Sequence, residues 1–126
     1  MAQVKANLAS LDPVWTMIRR EAEDVARSEP LMASLVHAGV LHHASLERAL
    51  SYRIAQKLAS PEMSELILRE IADAAFAEDR SLGTAARADI MAVYERDPAC
   101  HRYIQPLLFF KGFQAGVVVG DLRGLA

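Results

Sequence analysis

The sequence has a single cysteine among its 126 residues. That excludes an intramolecular disulfide framework and a multi-cysteine zinc site, and it fits a reducing compartment. A basic excess is also missing. Fourteen Lys and Arg stand against sixteen Asp and Glu, for a net charge of −2, which argues against a nucleic-acid binder. No stretch approaches the ~20 apolar residues of a membrane span. The start, from Met1 to Leu8, lacks the apolar run of a signal peptide. The expectation is a cytoplasmic protein with no membrane and no nucleic-acid partner. Strand formers are scarce as well. Val, Ile and Thr total 17, against 22 Ala and 15 Leu. Ala and Leu cost little to hold in a helix, whereas β-branched residues lose rotamer freedom there. There is no glycine-rich phosphate loop, no nucleophile elbow and no internal repeat.

What is present is a helical pattern punctuated by proline. Asp12-Pro13 reads as N-cap followed by N1. Behind it Trp15, Ile18, Ala22 and Val25 recur at spacings of three and four, with Arg19, Arg20, Glu23, Asp24 and Arg27 on the solvated faces. The helix should end near Ser28-Glu29, because Pro30 disfavours a helical residue before it. A second helix is expected from Pro30 to about Leu41 with Leu31, Leu35 and Ala38 inward. Ser45 caps a third, carrying Leu46, Ala49, Leu50, Ile54 and Leu58. Ser60-Pro61 repeats the cap-then-proline signal and opens a fourth with Met63, Leu66, Ile67, Ile71 and Ala74 inside. Ser81 to Thr84 reads as a break before a fifth helix from about Ala85 to Glu95, bearing Ile90, Met91 and Tyr94. Asp97-Pro98 opens a short helix, and one more is entered through Pro106. The expected fold is all-α, a compact bundle of about six helices. Residues 1–10 form a flexible arm, 11–115 the helical domain, and 116–126 a divergent, irregular tail whose Val117 to Val119 run has no strand partner.

Few residues invite chemistry. Asp97, Cys100 and His101 form the densest polar cluster, and a carboxylate one helical turn from an imidazole can orient it. The plainer reading is that Asp97 caps a helix and Cys100 packs as a small side chain. His37, His42 and His43 lack the i, i+4 spacing of a helical metal pair, so helix-end or loop roles are expected and no metal site is assigned. Leu107, Leu108, Phe109, Phe110 and Phe113 are apolar around a helix. One face cannot bury all of them, which makes Phe109, Phe110 and Phe113 candidates for contacts between subunits.

The motifs, taken in order, go further. They are Asp12-Pro-Val-Trp15, Ile18-Arg-Arg-Glu-Ala22, Glu29-Pro-Leu-Met-Ala-Ser34, Ala49-Leu-Ser-Tyr52, Lys57-Leu-Ala-Ser-Pro61, Glu95-Arg-Asp-Pro-Ala99 and Pro106-Leu-Leu-Phe-Phe-Lys-Gly-Phe113. Together they resemble the N-terminal helical domain of bacterial serine O-acetyltransferases over about residues 11–115. The resemblance implies an enzyme that moves acetyl from acetyl-CoA to L-serine for cysteine biosynthesis. It implies subunits packed through the helical domain, and a second domain, a left-handed β-helix, that binds CoA and holds the catalytic histidine. It also implies that Asp97, with Pro98 shaping the turn, reaches the serine site, where a carboxylate suits the substrate ammonium. After Lys111-Gly-Phe-Gln-Ala115 the glycine-valine tail takes the place of the family's continuation. The expectation is therefore a truncated chain with no catalytic residue and no cofactor of its own. It would be a homo-oligomer that does not acetylate serine unaided. The alternative is a non-catalytic helical module for self-association or partner binding.

Overall fold

A computed structural model of the chain describes residues 12–96. Five α-helices make up most of this span, and among the described residues there is no strand beyond an isolated bridge between Ser60 and Met63. The expected all-α class holds, and the described part contains five α-helices. The expected arm at 1–10, the Asp97 and Pro106 helices and the 116–126 tail lie outside the described residues.

Helix α1 (Pro13–Ser28) follows its sequence signals closely. The Asp12 side chain accepts from the Trp15 amide at 3.3 Å, and Pro13 occupies N1. Trp15, Ile18, Ala22 and Val25 are all buried. The chain leaves the helix at Glu29, whose amide donates to the Val25 carbonyl at 2.8 Å.

Residues 30–41 stay helical but change pitch twice. A 3₁₀ turn (Pro30–Met32) leads into a short α2 (Ala33–Val36) and then a π turn (His37–Leu41). The His42 amide reaches back five residues to the His37 carbonyl at 3.0 Å. This change of pitch overturns the expected inward face. Leu31 is 99% exposed and Leu35 is exposed, while Val36, Gly39 and Val40 are buried. A stripe counted at 3.6 residues per turn drifts off the core where the turn first tightens and then widens.

Helix α3 (Leu46–Leu58) starts on Ser45, whose hydroxyl accepts from the Arg48 amide at 3.3 Å. Leu46, Ala49, Leu50 and Ile54 are buried as expected, but Leu58 is exposed at the far end. Ser60-Pro61 does not open a helix. It forms a turn in which the Ser60 amide donates to the Met63 carbonyl at 3.1 Å and the Met63 amide donates back at 3.2 Å. Helix α4 (Glu65–Glu78) begins later, on Ser64, whose hydroxyl accepts from the Ile67 amide at 3.2 Å. Its inner face is Leu68, Ala72, Ala75 and Phe76; Met63, Leu66, Ile67 and Ala74 are exposed, and Ile71 is half-buried. Leu66, Ile67 and Leu68 stand side by side, so the sequence supports two apolar stripes, and packing along α3 selects between them.

Helix α5 (Arg80–Arg96) follows α4 after the single residue Asp79. The expected break at Ser81 to Thr84 lies inside this helix. Asp79 marks the boundary: its carboxylate accepts from the Ser81 amide at 3.0 Å and from the Ser81 hydroxyl at 2.6 Å. Leu82, Ala86 and Ile90, four apart, face the core, whereas Met91 is exposed. The centre of the molecule is built from Ile18, Val36, Val40, Leu46, Leu50, Ile54 and Ile90, all essentially inaccessible to solvent. Burying each such side chain is worth about 1.5–3 kcal/mol.

Candidate functional site

The residues singled out for substrate and subunit contact lie outside the described span: Asp97, Pro98, Cys100, His101, Phe109, Phe110 and Phe113. The structure nonetheless reaches their threshold. Helix α5 ends at Arg96, the residue directly before Asp97. How α5 is held is thus the described part of the site.

An arginine holds it. Arg87 Nε donates to Asp12 Oδ1 at 3.1 Å and Nη2 to Asp12 Oδ2 at 2.7 Å. Its outer edge meets Glu47, with Nη1 to Oε2 at 2.9 Å and Nη2 to Oε1 at 3.1 Å. Nη1 also donates to the Gly83 carbonyl one turn back, at 3.0 Å. A guanidinium has five N–H donors, and these five acceptors use all of them. Two forked carboxylate pairs in one plane are the strongest geometry an arginine offers. Gly83 is part of the arrangement, because a Cβ there would run into the Glu47 carboxylate.

The electrostatics follow from this contact. Burial raises the carboxyl pKa values of Asp12 and Glu47, but the Arg87 hydrogen bonds and charge outweigh it and hold both below the usual carboxylate range. The same hydrogen bonds, from Asp12 and then Glu47, push the Arg87 guanidinium further up. The triad lies in a cleft of about 710 Å³ at one end of the bundle, which Arg48, Asp73 and Arg80 also line. Sequence reasoning assigned Asp12 only its cap. Its partner stands 75 residues away and Glu47's stands 40 away, so no local spacing could announce the cluster.

The histidines separate by environment. His37 and His42 are exposed, their ring centroids 5.8 Å apart. His43 is only 8% exposed. Its Nε2–H donates to the Ala38 carbonyl at 2.9 Å, and its ring lies 5.0 Å from that of Tyr52. Burial lowers its pKa, against the pull of the Ala38 carbonyl. Arg19, expected on a solvated face, closes the same junction, with Nη1 donating to the His43 carbonyl at 3.1 Å and the Leu41 carbonyl at 3.4 Å. These are helix-end roles, which fits the reading of the histidines. Among the described residues no group of three or more His, Cys, Asp or Glu is arranged to hold a metal ion. No described helix is long and apolar enough to cross a membrane.

Known proteins resemble this chain over most of its length. The profile of the family described as serine acetyltransferase, N-terminal, matches residues 14–116. The serine acetyltransferase of Salmonella typhimurium is 47% identical over 105 residues, which is 83% of this chain and 38% of that protein. The chain therefore spans about two fifths of the length of that relative. Among solved structures, the Neisseria gonorrhoeae serine acetyltransferase in complex with serine superposes with a TM-score of 0.79 at 42% identity, over 87% of this chain and 45% of that one. The Brucella abortus serine acetyltransferase in complex with coenzyme A gives 0.83 at 37% identity, over 94% and 48%. The match takes in α1 from its second residue through α5, together with Asp97 and the Phe109 to Phe113 run, and the chain belongs to the family of serine acetyltransferase N-terminal domains.

Proposed function

We propose that this chain serves a serine O-acetyltransferase as its helical N-terminal part. Acetyl passes from acetyl-CoA to the L-serine hydroxyl, in the cytoplasm, as a step toward cysteine. The observation that carries the reading is the family match across residues 14–116, with Glu95-Arg-Asp-Pro-Ala99 inside it. Relatives solved with serine and with coenzyme A support both co-substrates. Asp97 holds the substrate ammonium, with Pro98 setting the turn. The general base and the CoA cleft are supplied from outside these helices. Acyl transfer needs a base within reach of the serine hydroxyl and a site that positions the thioester, and a carboxylate that pairs with the ammonium does neither. These 126 residues alone should therefore not release CoA from acetyl-CoA when serine is added.

The second contribution is assembly. Leu31 at 99% exposure, Leu66 at 67% and Ile67 at 48% are large apolar side chains facing solvent. With Phe109, Phe110 and Phe113 they are the material of a homo-oligomer contact. The experiment replaces the matched segment of the Salmonella relative with residues 12–115 of this chain. Serine-dependent CoA release by the chimera is the expected result. In that chimera Asp97→Ala should raise KM for serine far more than KM for acetyl-CoA. Equal effects on both would reduce Asp97 to a helix cap and remove the substrate role.

A further inference from the structure

The π turn brings together two side chains that a regular helix keeps apart. His37 opens the turn and His42 follows its last residue, five positions on. At about 100° per residue, five positions on an α-helix lie about 140° apart around the axis. The expectation that His37 and His42 cannot pair assumes that pitch. In the π turn the His42 amide donates to the His37 carbonyl at 3.0 Å, so one backbone hydrogen bond ties the two residues directly. Their rings are neighbours, with centroids 5.8 Å apart and planes inclined by 53°. Both side chains are exposed. Neither ring is hydrogen-bonded to another described residue, so their nitrogens are open to a ligand.

Neutral imidazole is a ligand for zinc, nickel and copper, whereas magnesium and calcium take oxygen. Zinc bonds a histidine nitrogen at about 2.0–2.1 Å, so one ion bound to both rings holds their centroids about 5 Å apart. The observed 5.8 Å closes to that by rotation of two exposed side chains. His43 is not a third ligand: it is buried and its Nε2–H is committed to the Ala38 carbonyl. No group of three or more donors is assembled among the described residues, so within them the metal takes two nitrogens and completes its shell with water. Arg19 flanks the turn, with its guanidinium on the Leu41 and His43 carbonyls. Its charge opposes a cation and keeps the site weaker than a closed structural one.

We propose that His37 and His42 form a two-imidazole site for a divalent transition metal of the zinc and nickel class, created by the π turn. The metal clamps the same span that the His42-to-His37 backbone bond closes. In the unfolded chain nothing holds the two rings together, so the folded turn binds more tightly and the metal stabilises the junction of α1, the π turn and α3. The site is independent of the serine reading.

Calorimetric titration of the 126-residue chain with zinc chloride, and separately with nickel chloride, tests this. The expected result is one metal per chain and no binding of magnesium chloride. His37→Gln and His42→Gln should each weaken the binding by about tenfold or more, because the second ring no longer binds from a high effective concentration. Both side chains are exposed, so circular dichroism should show both variants folded. His43→Gln, Cys100→Ser and His101→Gln should leave the affinity within about twofold. Saturating zinc should also slow hydrogen exchange at the His42 amide in the wild-type chain and not in His37→Gln. Affinity that survives both glutamine variants, or is lost in only one of them, would overturn the proposal. So would loss in Cys100→Ser or His101→Gln, one metal per two chains, or a His42 amide whose exchange ignores saturating zinc.

Discussion

Helices α1 and α5 are fastened to the same core by opposite means. Helix α1 buries Trp15, Ile18, Ala22 and Val25 along its whole length. Helix α5 buries Leu82, Ala86 and Ile90 near its start and adds a guanidinium bonded to two other elements. Burial of large apolar groups supplies most of the free energy of folding but says little about a helix's exact angle. Forked ion pairs supply less free energy and fix an angle. The contrast places stability chiefly in α1 and α3, and direction in the contacts of α5.

The largest effect should therefore come from the apolar side. Ile18→Ala removes a side chain with no solvent exposure and should cost about 2–5 kcal/mol, the range for opening a cavity in a packed core. Urea unfolding followed by circular dichroism measures it. Arg87→Ala should cost less, about 2 kcal/mol, because the charges it strands on Asp12 and Glu47 keep partial access to water. The ordering is the test: if Arg87→Ala matched Ile18→Ala, the contrast between the two helices would fail. The arginine variant carries a further signature. Asp12 and Glu47 have folded-state pKa values below their unfolded ones. Their contribution is present above the unfolded values of about 4 and is lost as pH falls through the folded ones. Arg87→Ala should therefore flatten the acid limb of the stability profile as well as lower it.

The same contrast explains what could be read from sequence. Helix α1 was legible to the residue, because one cap, one proline and one apolar period agree there. Helix α3 was nearly so. Residues 30–41 were legible as helical, but Leu31 and Leu35 were assigned to the wrong face, because a period assumes constant pitch. Ser60-Pro61 carried the same cap-then-proline signal as Asp12-Pro13 and made a turn, since a cap signal records what the side chain can do locally and Ser64 competes for the role. The Arg87 cluster was invisible for a different reason. Its partners meet only once three helices have packed, and Asp12 already had a sufficient local explanation. The family motifs named Asp97, but they carry no information on what holds the helix before it.

The competition between caps yields a smaller prediction. Ser64→Ala should cost about 1 kcal/mol, the usual worth of a hydroxyl cap. It should do so by fraying the first turn of α4, detectable as faster exchange at Ile67, whose amide loses its acceptor. Restoring a cap with Ser64→Asp should recover the loss. If Ser64→Ala left that amide's exchange unchanged, the start of α4 would be governed by the Ser60 turn.

The smallest effect expected is set by His43, at the junction where α1 meets the π turn and α3. The ring is buried and its Nε2–H is committed to the Ala38 carbonyl. Arg69 and Asp73 of α4 act on it with opposite signs, and neighbouring His42 also disfavours its charge. Burial outweighs the favourable contacts, so the folded state binds a proton less readily than the unfolded chain. Stability should then be full above the ordinary histidine value of about 6.5. It should decline as pH falls from there toward the depressed folded value, below which the histidine adds no further slope. Urea midpoints between pH 7.5 and 5 would record this as a shallow loss, well separated from the carboxylate limb near pH 4. His43→Gln keeps a donor for Ala38 but cannot take up a proton, so it should remove the shallow loss while leaving the acid limb intact. A wild-type midpoint that rose on acidification through this window would mean that the Ala38 carbonyl and Asp73 prevail, and that the junction is tightened by protonation.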